Sequence, residues 1–253
     1  MFSEGEGYER FMGRWSRRLA PLFVTFAGVV EGDRVLDVGS GTGALSAAAA
    51  DAGARVTGVE PSAAYVRYAQ QHVQAGRVQF ETGDAMDLPY DDGVFDRTLS
   101  MLVLNFVPAP GIALDQMIRV TRPGGLVAAA VWDYGDGMQM LRAFWDEAVA
   151  LDPNAASRDE RYMPLCPHGA LTDLWRSRGL QNVEEQPLTV DTKFSSFDDY
   201  WQPFLSGQGP AGRYVMSLDE SARDALENRL RSRLAVLGLS LRARAWAVRG
   251  VVI

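Results

Sequence analysis

The spacing of apolar positions divides the chain into a helical start, an alternating middle and an irregular end. From 8 to 30, Phe11, Trp15, Leu19, Leu22, Phe23 and Phe26 recur at helical spacing and predict one long helix, with Pro21 set to kink it. Short apolar runs rich in β-formers then take turns with helical stretches. Val35–Val38 reads as strand, 44–52 as helix, Arg55–Val59 as strand, Ser62–Gln74 as helix and Val78–Glu81 as strand. Asp96–Ser100, Ile112–Val120 and Leu126–Trp132 continue as strand, helix and strand. Strands alternating with helices make a parallel sheet covered on both faces, and right-handed crossovers fix most of its topology.

After Trp132 the rhythm changes. The loop DYGDG leads into an amphipathic helix, Met138–Ala150, and an irregular Pro-containing stretch, Asp152–His168. A helix at Leu171–Arg178, with Gly179 as its C-cap, precedes a strand near Val183–Thr192. Residues 195–237 form an aromatic-rich insert with a glycine-rich loop, SGQGPAG (206–212), and a charged helix, Asp219–Leu237. The loop reads either as a mobile gate or as a plain connection between helices. ARAWAVRG (243–250) alternates and reads as the last strand. The expected layout is a single domain over 1–253: a helical lid at 1–30, a ligand-binding core at 31–133 and a cap at 195–237 between the last two strands.

Composition narrows the function. With 47% hydrophobic and 23% charged residues, the 253-residue chain is an ordinary globular protein. Its net charge of −7 argues against a nucleic-acid partner, which needs a basic face. The cluster Arg10, Arg14, Arg17 and Arg18 reads as a solvated helix face or a lid beside the ligand. One cysteine, Cys166, permits no internal disulfide and no cysteine metal cluster, and His72 and His168 add no metal signature. The start lacks the apolar core of a signal peptide, and no apolar run reaches the roughly 18 residues a membrane span needs. A cytoplasmic protein without metal or membrane partner is expected, as monomer or homodimer.

The chemistry concentrates in VLDVGSGTGALS, Val35 to Ser46. A strand ends in an acid, a turn carries Gly39, Gly41 and Gly43, and a helix begins at once. That arrangement lets a nucleotide-like ligand lie against bare backbone at a helix N-terminus. Asp37 either orders the loop and meets the ligand or merely caps turn amides. Glu60, closing the second strand, stands where this architecture places an acid over a ribose. Asp84, after the third strand, is placed to accept from an adenine amino group beside the Ala85 backbone N–H. Asp87, Asp91 and Asp92 read as turn residues. TRPGGLVAAAVWDY (121–134) delivers Trp132, Asp133 and Tyr134 to the carboxyl edge of the sheet, where ligands of open α/β sheets bind.

These four pieces, VLDVGSGTG, VTGVEPS, TGDAMDLPYDDGVFD and RPGG, in this order resemble class I S-adenosylmethionine-dependent methyltransferases, in particular the ubiquinone/menaquinone type. The resemblance covers residues 30–133 and fades beyond. It implies a Rossmann-like, doubly wound α/β fold whose seven-stranded sheet is mostly parallel with an antiparallel last strand. It implies S-adenosylmethionine as cofactor and S-adenosylhomocysteine as product, with a small-molecule methyl acceptor. By the same resemblance Asp37, Gly39, Ser40, Gly41, Gly43, Glu60, Pro61, Asp84, Ala85, Ser100 and Met101 hold the cofactor. Arg14 reaches its carboxylate. Ser40 stands where cysteine is common, and Asn105 stands where related enzymes often carry histidine.

The rival reading is a nicotinamide dehydrogenase, since Gly39-x-Gly41-x-x-Ala44 meets the relaxed dinucleotide fingerprint and Glu60 would suit the ribose. A non-catalytic adenosyl-binding protein is the other alternative. Tyr8, Trp15, Trp132, Tyr134, Trp201 and Phe204 are the expected substrate walls; Phe144 and Trp145, at helical spacing, are expected in the core. Asp133, His168 and Tyr134 are the candidate bases, none of them compelling, so the catalytic group is left unassigned.

Overall fold

A computed structural model of the chain describes residues 4–73, 76 and 78–253. Residues 1–3 of the expected lid and Gln74, the expected end of the second α/β helix, lie outside the described residues. The strands are β1 (Arg34–Val38), β2 (Arg55–Glu60), β3 (Val78–Thr82), β4 (Phe95–Met101), β5 (Thr121–Trp132), β6 (Gln181–Lys193) and β7 (Ser240–Val251). They form a seven-stranded sheet of order β3-β2-β1-β4-β5-β7-β6. β1 to β5 pair in parallel, while β7 runs antiparallel to both β5 and β6. The expected Rossmann-like sheet with an antiparallel last strand is therefore present.

Around it run α1 (Glu4–Tyr8), α2 (Arg14–Phe26), α3 (Ala44–Asp51), α4 (Ala63–His72), α5 (Pro110–Val120), α6 (Gln139–Leu151), α7 (Ala170–Ser177), α8 (Phe197–Trp201), α9 (Gly209–Ser217) and α10 (Glu220–Leu237). Side-chain caps start several of them: Ser62 Oγ accepts from Tyr65 N at 3.4 Å, Ser196 Oγ from Asp199 N at 3.1 Å, and Asp219 from Ala222 N at 2.8 Å.

Local chemistry corrects several expected boundaries. The single helix over 8–30 is divided by a π turn at Glu9–Gly13. Gly13 permits it, because a Cβ there would sit 2.5 Å from the Glu9 carboxyl group. Pro21 lies inside α2 without ending it: it faces solvent, while Trp15, Leu19, Phe23 and Val24 anchor the opposite face. The Pro-Gly-Gly turn is drawn into β5 as an irregular entry. The β4–β5 register slips from Phe95↔Thr121 to Arg97↔Leu126, and Gly124 N donates to Val252 O at 2.8 Å. Most of the expected loop 206–212 is helical. A 3₁₀ turn, Gln202–Ser206, meets α9 across Gly207, whose positive φ (75°) turns the corner. A Cβ on Gly212 would meet the Gly207 carbonyl carbon at 2.8 Å, so the segment is a tight corner between helices. The irregular stretch before α7 holds two 3₁₀ turns, Pro153–Arg158 and Glu160–Tyr162, capped by Asp152 and Asp159.

An aromatic core joins α2, α6 and the 195–237 insert. Phe204 is fully buried, with ring centroids 5.2 Å from Phe11 and 4.6 Å from Phe144; Trp15 meets Phe194 at 5.4 Å. Among the described residues, no helix is long and apolar enough to cross a membrane.

Candidate cofactor and acceptor cavity

At the carboxyl edge of β1, β2 and β4 the chain leaves a cavity of about 590 Å³, a size typical of small-molecule sites. Asp37, Gly39, Ser40, Gly41, Glu60, Pro61, Asp84, Ala85, Met101 and Tyr8 all line it. The turn that opens it is built by backbone. Gly39 N and Ser40 N both donate to Val59 O, at 2.8 and 3.0 Å, which folds the chain sharply out of β1. Gly39 has φ +77°, and a Cβ there would fall 2.5 Å from Val103 Cγ1, so no other residue fits. Gly43 caps α3 at φ +88°, with its Cβ position closed by Val73 and Phe80.

Glu60 braces this turn from the neighbouring strand. Its Oε2 accepts from Gly41 N at 3.1 Å and its Oε1 from Ser62 N at 3.0 Å. Burial raises its carboxyl pKa despite those two donors. Asp37 is 1% exposed and accepts from Ser46 Oγ at 2.6 Å. Burial pushes its carboxyl up to about 7, and the nearby Glu60 charge adds to the shift. Asp84 Oδ1 accepts from Met86 N at 2.9 Å, and Asp87 closes the same turn through Asp84 O, as its turn assignment requires. β4 ends in Met101 and then Leu102, a non-glycine residue at φ +67°, whose N–H donates to Ala130 O at 2.7 Å. A left-handed leucine costs on the order of 1–3 kcal/mol, and such strain collects at functional sites.

The N-terminal segment closes one wall. Tyr8 and Ser16 both line the cavity, with their hydroxyls 2.9 Å apart. Burial raises the Tyr8 pKa. Glu9, in the π turn, accepts from Thr42 Oγ1 at 2.5 Å and pairs with Arg17, clasping the segment to the glycine turn. Sequence reasoning missed this clasp, and it also missed the apolar wall Val103, Phe106, Val107 and Pro108. That wall follows a strand end and a 3₁₀ turn (Leu104–Phe106) that carry no motif.

Several expected site residues stand elsewhere. Arg14 does not line the cavity: its Nη1 donates to Asp199 Oδ1 at 2.7 Å and its guanidinium covers the Trp15 ring at 4.3 Å. Asp199, held below the usual carboxylate range by its Ser195 and Arg14 donors against the opposing effect of burial, takes the charge expected for a ligand. Ser100 is fully buried and donates to Val38 O at 2.9 Å, tying β4 to β1 behind the cavity. Gly43 likewise shapes the turn from outside the lining. Trp15, Trp201 and Phe204 belong to the aromatic core, as Phe144 and Trp145 do. Trp132, 2% exposed on β5, pairs with Ala245, and Tyr134 is buried beside it.

The three candidate bases also miss the cavity. Asp133 is paired with Arg244, and Tyr134 is buried with its pKa raised well above the usual value by desolvation. His168 stands against Trp246 of β7, 3.6 Å from Glu185 of β6. Asn105 is buried with its Nδ2 toward Met163 and its Oδ1 without a partner. The basic residues near the start are absorbed internally or paired: Arg17 by Glu9, and Arg18 by Asp191 O at 2.8 Å.

A methyltransferase-domain family model matches residues 36–129, the stretch that builds the turn, Glu60, Asp84 and β5. An uncharacterised protein of Mycobacterium tuberculosis is 32% identical over 216 residues, covering 83% of this chain and 78% of that one. A demethylmenaquinone methyltransferase of Clavibacter sepedonicus is 38% identical over 174 residues, 64% of this chain and 71% of the relative. Among solved structures, a phosphoethanolamine N-methyltransferase 2 of Haemonchus contortus, in complex with phosphomonomethylethanolamine and S-adenosylhomocysteine, superposes with a TM-score of 0.61. It is 18% identical, and the match covers 98% of this chain and 56% of that one.

Proposed function

Because this chain belongs to the class I S-adenosylmethionine-dependent methyltransferases, we propose that its cavity binds S-adenosylmethionine and methylates a small-molecule acceptor. The observation that carries this reading is the convergence of Asp37, the Gly39–Gly41 turn, Glu60 and Asp84 on one cavity.

The residues present fit that cofactor. A Cβ on Gly41 would meet nothing within 4 Å, so its backbone is open to close approach. Ser40 Oγ is buried without a partner. Each Glu60 oxygen keeps a lone pair beyond the backbone donor it already holds, as two ribose hydroxyls require. In this reading Asp84 and the Ala85 N–H recognise adenine, Pro61 borders the ribose, Asp37 serves the amino-acid end and Met101 flanks the methionine chain. Gly43 and Ser100 act by fixing the turn and the strand pair. Arg14 has no direct part.

When bound, the cofactor supplies a methyl carbon activated by its sulfonium. The chain's own work is then to bind, to orient the acceptor and to exclude water, with the clasped segment from Tyr8 to Ser16 acting as a lid. The cavity size suits a small acceptor, and the net charge of −7 disfavours nucleic acid.

Calorimetry with S-adenosylhomocysteine, S-adenosylmethionine and NAD tests the reading. Both adenosyl compounds should bind and NAD should not. Binding of NAD alone, or of none of the three, overturns it.

A further inference from the structure

Residues 8–17 separate two cavities. Tyr8 and Ser16 line the cavity at the glycine turn, whereas their neighbours Glu9 and Arg17 line a second one of about 390 Å³. Pro21, Tyr68 and His72 lie on the walls of that second cavity, and Thr42 and Ala44 border both. Helix geometry makes the segment a partition. Two α-helical turns take about 7.2 residues, so the extra residue of the π turn at Glu9–Gly13 brings positions i and i+8 onto one face. Tyr8 thus meets Ser16, with their hydroxyls 2.9 Å apart, and Glu9 pairs with Arg17.

One acid fastens this partition to the glycine turn. The Glu9 side chain is 10% exposed, and its Oε1 accepts from Thr42 Oγ1 at 2.5 Å. Arg17 is 56% exposed, so solvent screens its pair with Glu9 and leaves the Thr42 bond as the stronger tie. Against that bond stands the cost of holding a carboxylate away from water, a cost that is recovered when the segment lifts. The two effects oppose, which suits a fastening that must open and close. Gly13 keeps it in register, since a Cβ there would fall 2.5 Å from Glu9 Oε2 and 2.6 Å from Oε1.

We propose that the Glu9–Thr42 clasp is a gate: opening it joins the two cavities, and ligand enters and leaves the glycine-turn cavity only while it is open. This rests on the reading that the cofactor fills that cavity. The clasp is made of protein groups alone, so its strength is the same with and without ligand. Removing it multiplies the open fraction equally in both states. Association and dissociation should then accelerate together while Kd stays in place. A residue that merely touches the ligand changes dissociation far more than association.

Two substitutions break the clasp from opposite sides. Gly13→Ala pushes the Glu9 carboxyl away from a position that lines neither cavity. The backbone there is helical (φ −58°, ψ −36°), and alanine is the better helix former, so folding is preserved. Thr42→Val keeps the side-chain shape and removes the hydroxyl. Surface plasmon resonance, with the full chain immobilised and S-adenosylhomocysteine in flow, reads both rates. Loss of one hydrogen bond to a charged group corresponds to about a tenfold change. Each variant should therefore raise the association and dissociation rates about tenfold, with Kd within about threefold of the wild type. The double variant should be no faster than either single one, because both remove the same contact. Unchanged rates, faster dissociation with unchanged association, loss of binding in either variant, or multiplied effects in the double variant overturn the gate alone. Failure of S-adenosylhomocysteine to bind the wild type overturns the cofactor reading, and this inference with it.

Discussion

The two ends of the sheet solve different problems. Around β1, β2 and β4 the chain spends glycines, backbone amides and buried carboxylates on an open cavity; Asp37 and Glu60 are buried there at an energetic cost that packing does not return. Around β5, β7 and the insert it builds an aromatic core, with Phe204 touching Phe11, Phe144, Tyr200 and Trp201. A ring of ion pairs surrounds that core, among them Arg142 with Asp159 and Arg233 with Asp146. In the proposed reading the first region serves a ligand, and the second serves stability. Substitutions should therefore separate binding from folding.

The largest effect belongs to the core. Phe204→Ala removes a fully buried ring and should destabilise the chain by about 3–5 kcal/mol. At about 2–4 °C per kcal/mol for a chain of this size, the melting temperature should fall by on the order of 10 °C. The folded fraction should still bind S-adenosylhomocysteine, which calorimetry below the transition would show. A lost affinity at retained stability would erase the distinction between the regions.

Glu60→Ala should do the reverse. If two hydroxyls of the ligand each give Glu60 a charge-assisted hydrogen bond, their loss weakens S-adenosylhomocysteine binding about 100-fold. Stability should change far less, because the buried carboxylate that disappears was itself costly. Calorimetric titration and a melting curve on the same sample read both quantities.

The same division explains what was legible in the chain. Gly39, Gly41, Glu60 and Asp84 could be placed from the sequence because each answers a local demand: a positive φ, a bare backbone, an acid at a strand end. Arg14, Trp201 and Phe204 could not, because their partners are far along the chain. Asp199 lies 185 residues from Arg14, and no periodicity reveals that it will claim the guanidinium. The Glu9–Thr42 clasp spans 33 residues and was hidden for the same reason. The seven-stranded sheet with its antiparallel last strand was readable as a resemblance, whereas the slip of β5 through Pro-Gly-Gly depends on pairing with Val252 beyond β7.

Arg14→Ala tests the reassignment of that arginine. Its ion pair with Asp199 is partly exposed on both sides, so solvent screening holds its worth to about 1 kcal/mol or less, with lost stacking on Trp15 added. The melting temperature should fall by a few degrees. Affinity for S-adenosylhomocysteine should stay within about threefold; a tenfold loss would restore Arg14 to the cofactor site.

The subtlest test uses two carboxyls that burial pushes to the same value. Asp37 in the cavity and Glu160, which accepts from Trp145 Nε1 in the core, are both raised to about 7. A folded pKa above the unfolded one means that folding favours the protonated form. Each group's contribution is therefore complete below about pH 4 and is lost as pH rises through 7. The ligand-free chain should lose stability over that window, and Asp37→Asn or Glu160→Gln should each flatten part of the decline. Ligand separates the two. If Asp37 serves the amino-acid end as proposed, the ligand's ammonium favours its ionised form, and affinity for S-adenosylhomocysteine should rise from pH 5 to pH 8. Asp37→Asn should abolish that rise, and Glu160→Gln should leave it intact. If Glu160→Gln removed it as well, the cavity and the core would share one titration, and the boundary drawn between them would lie in the wrong place.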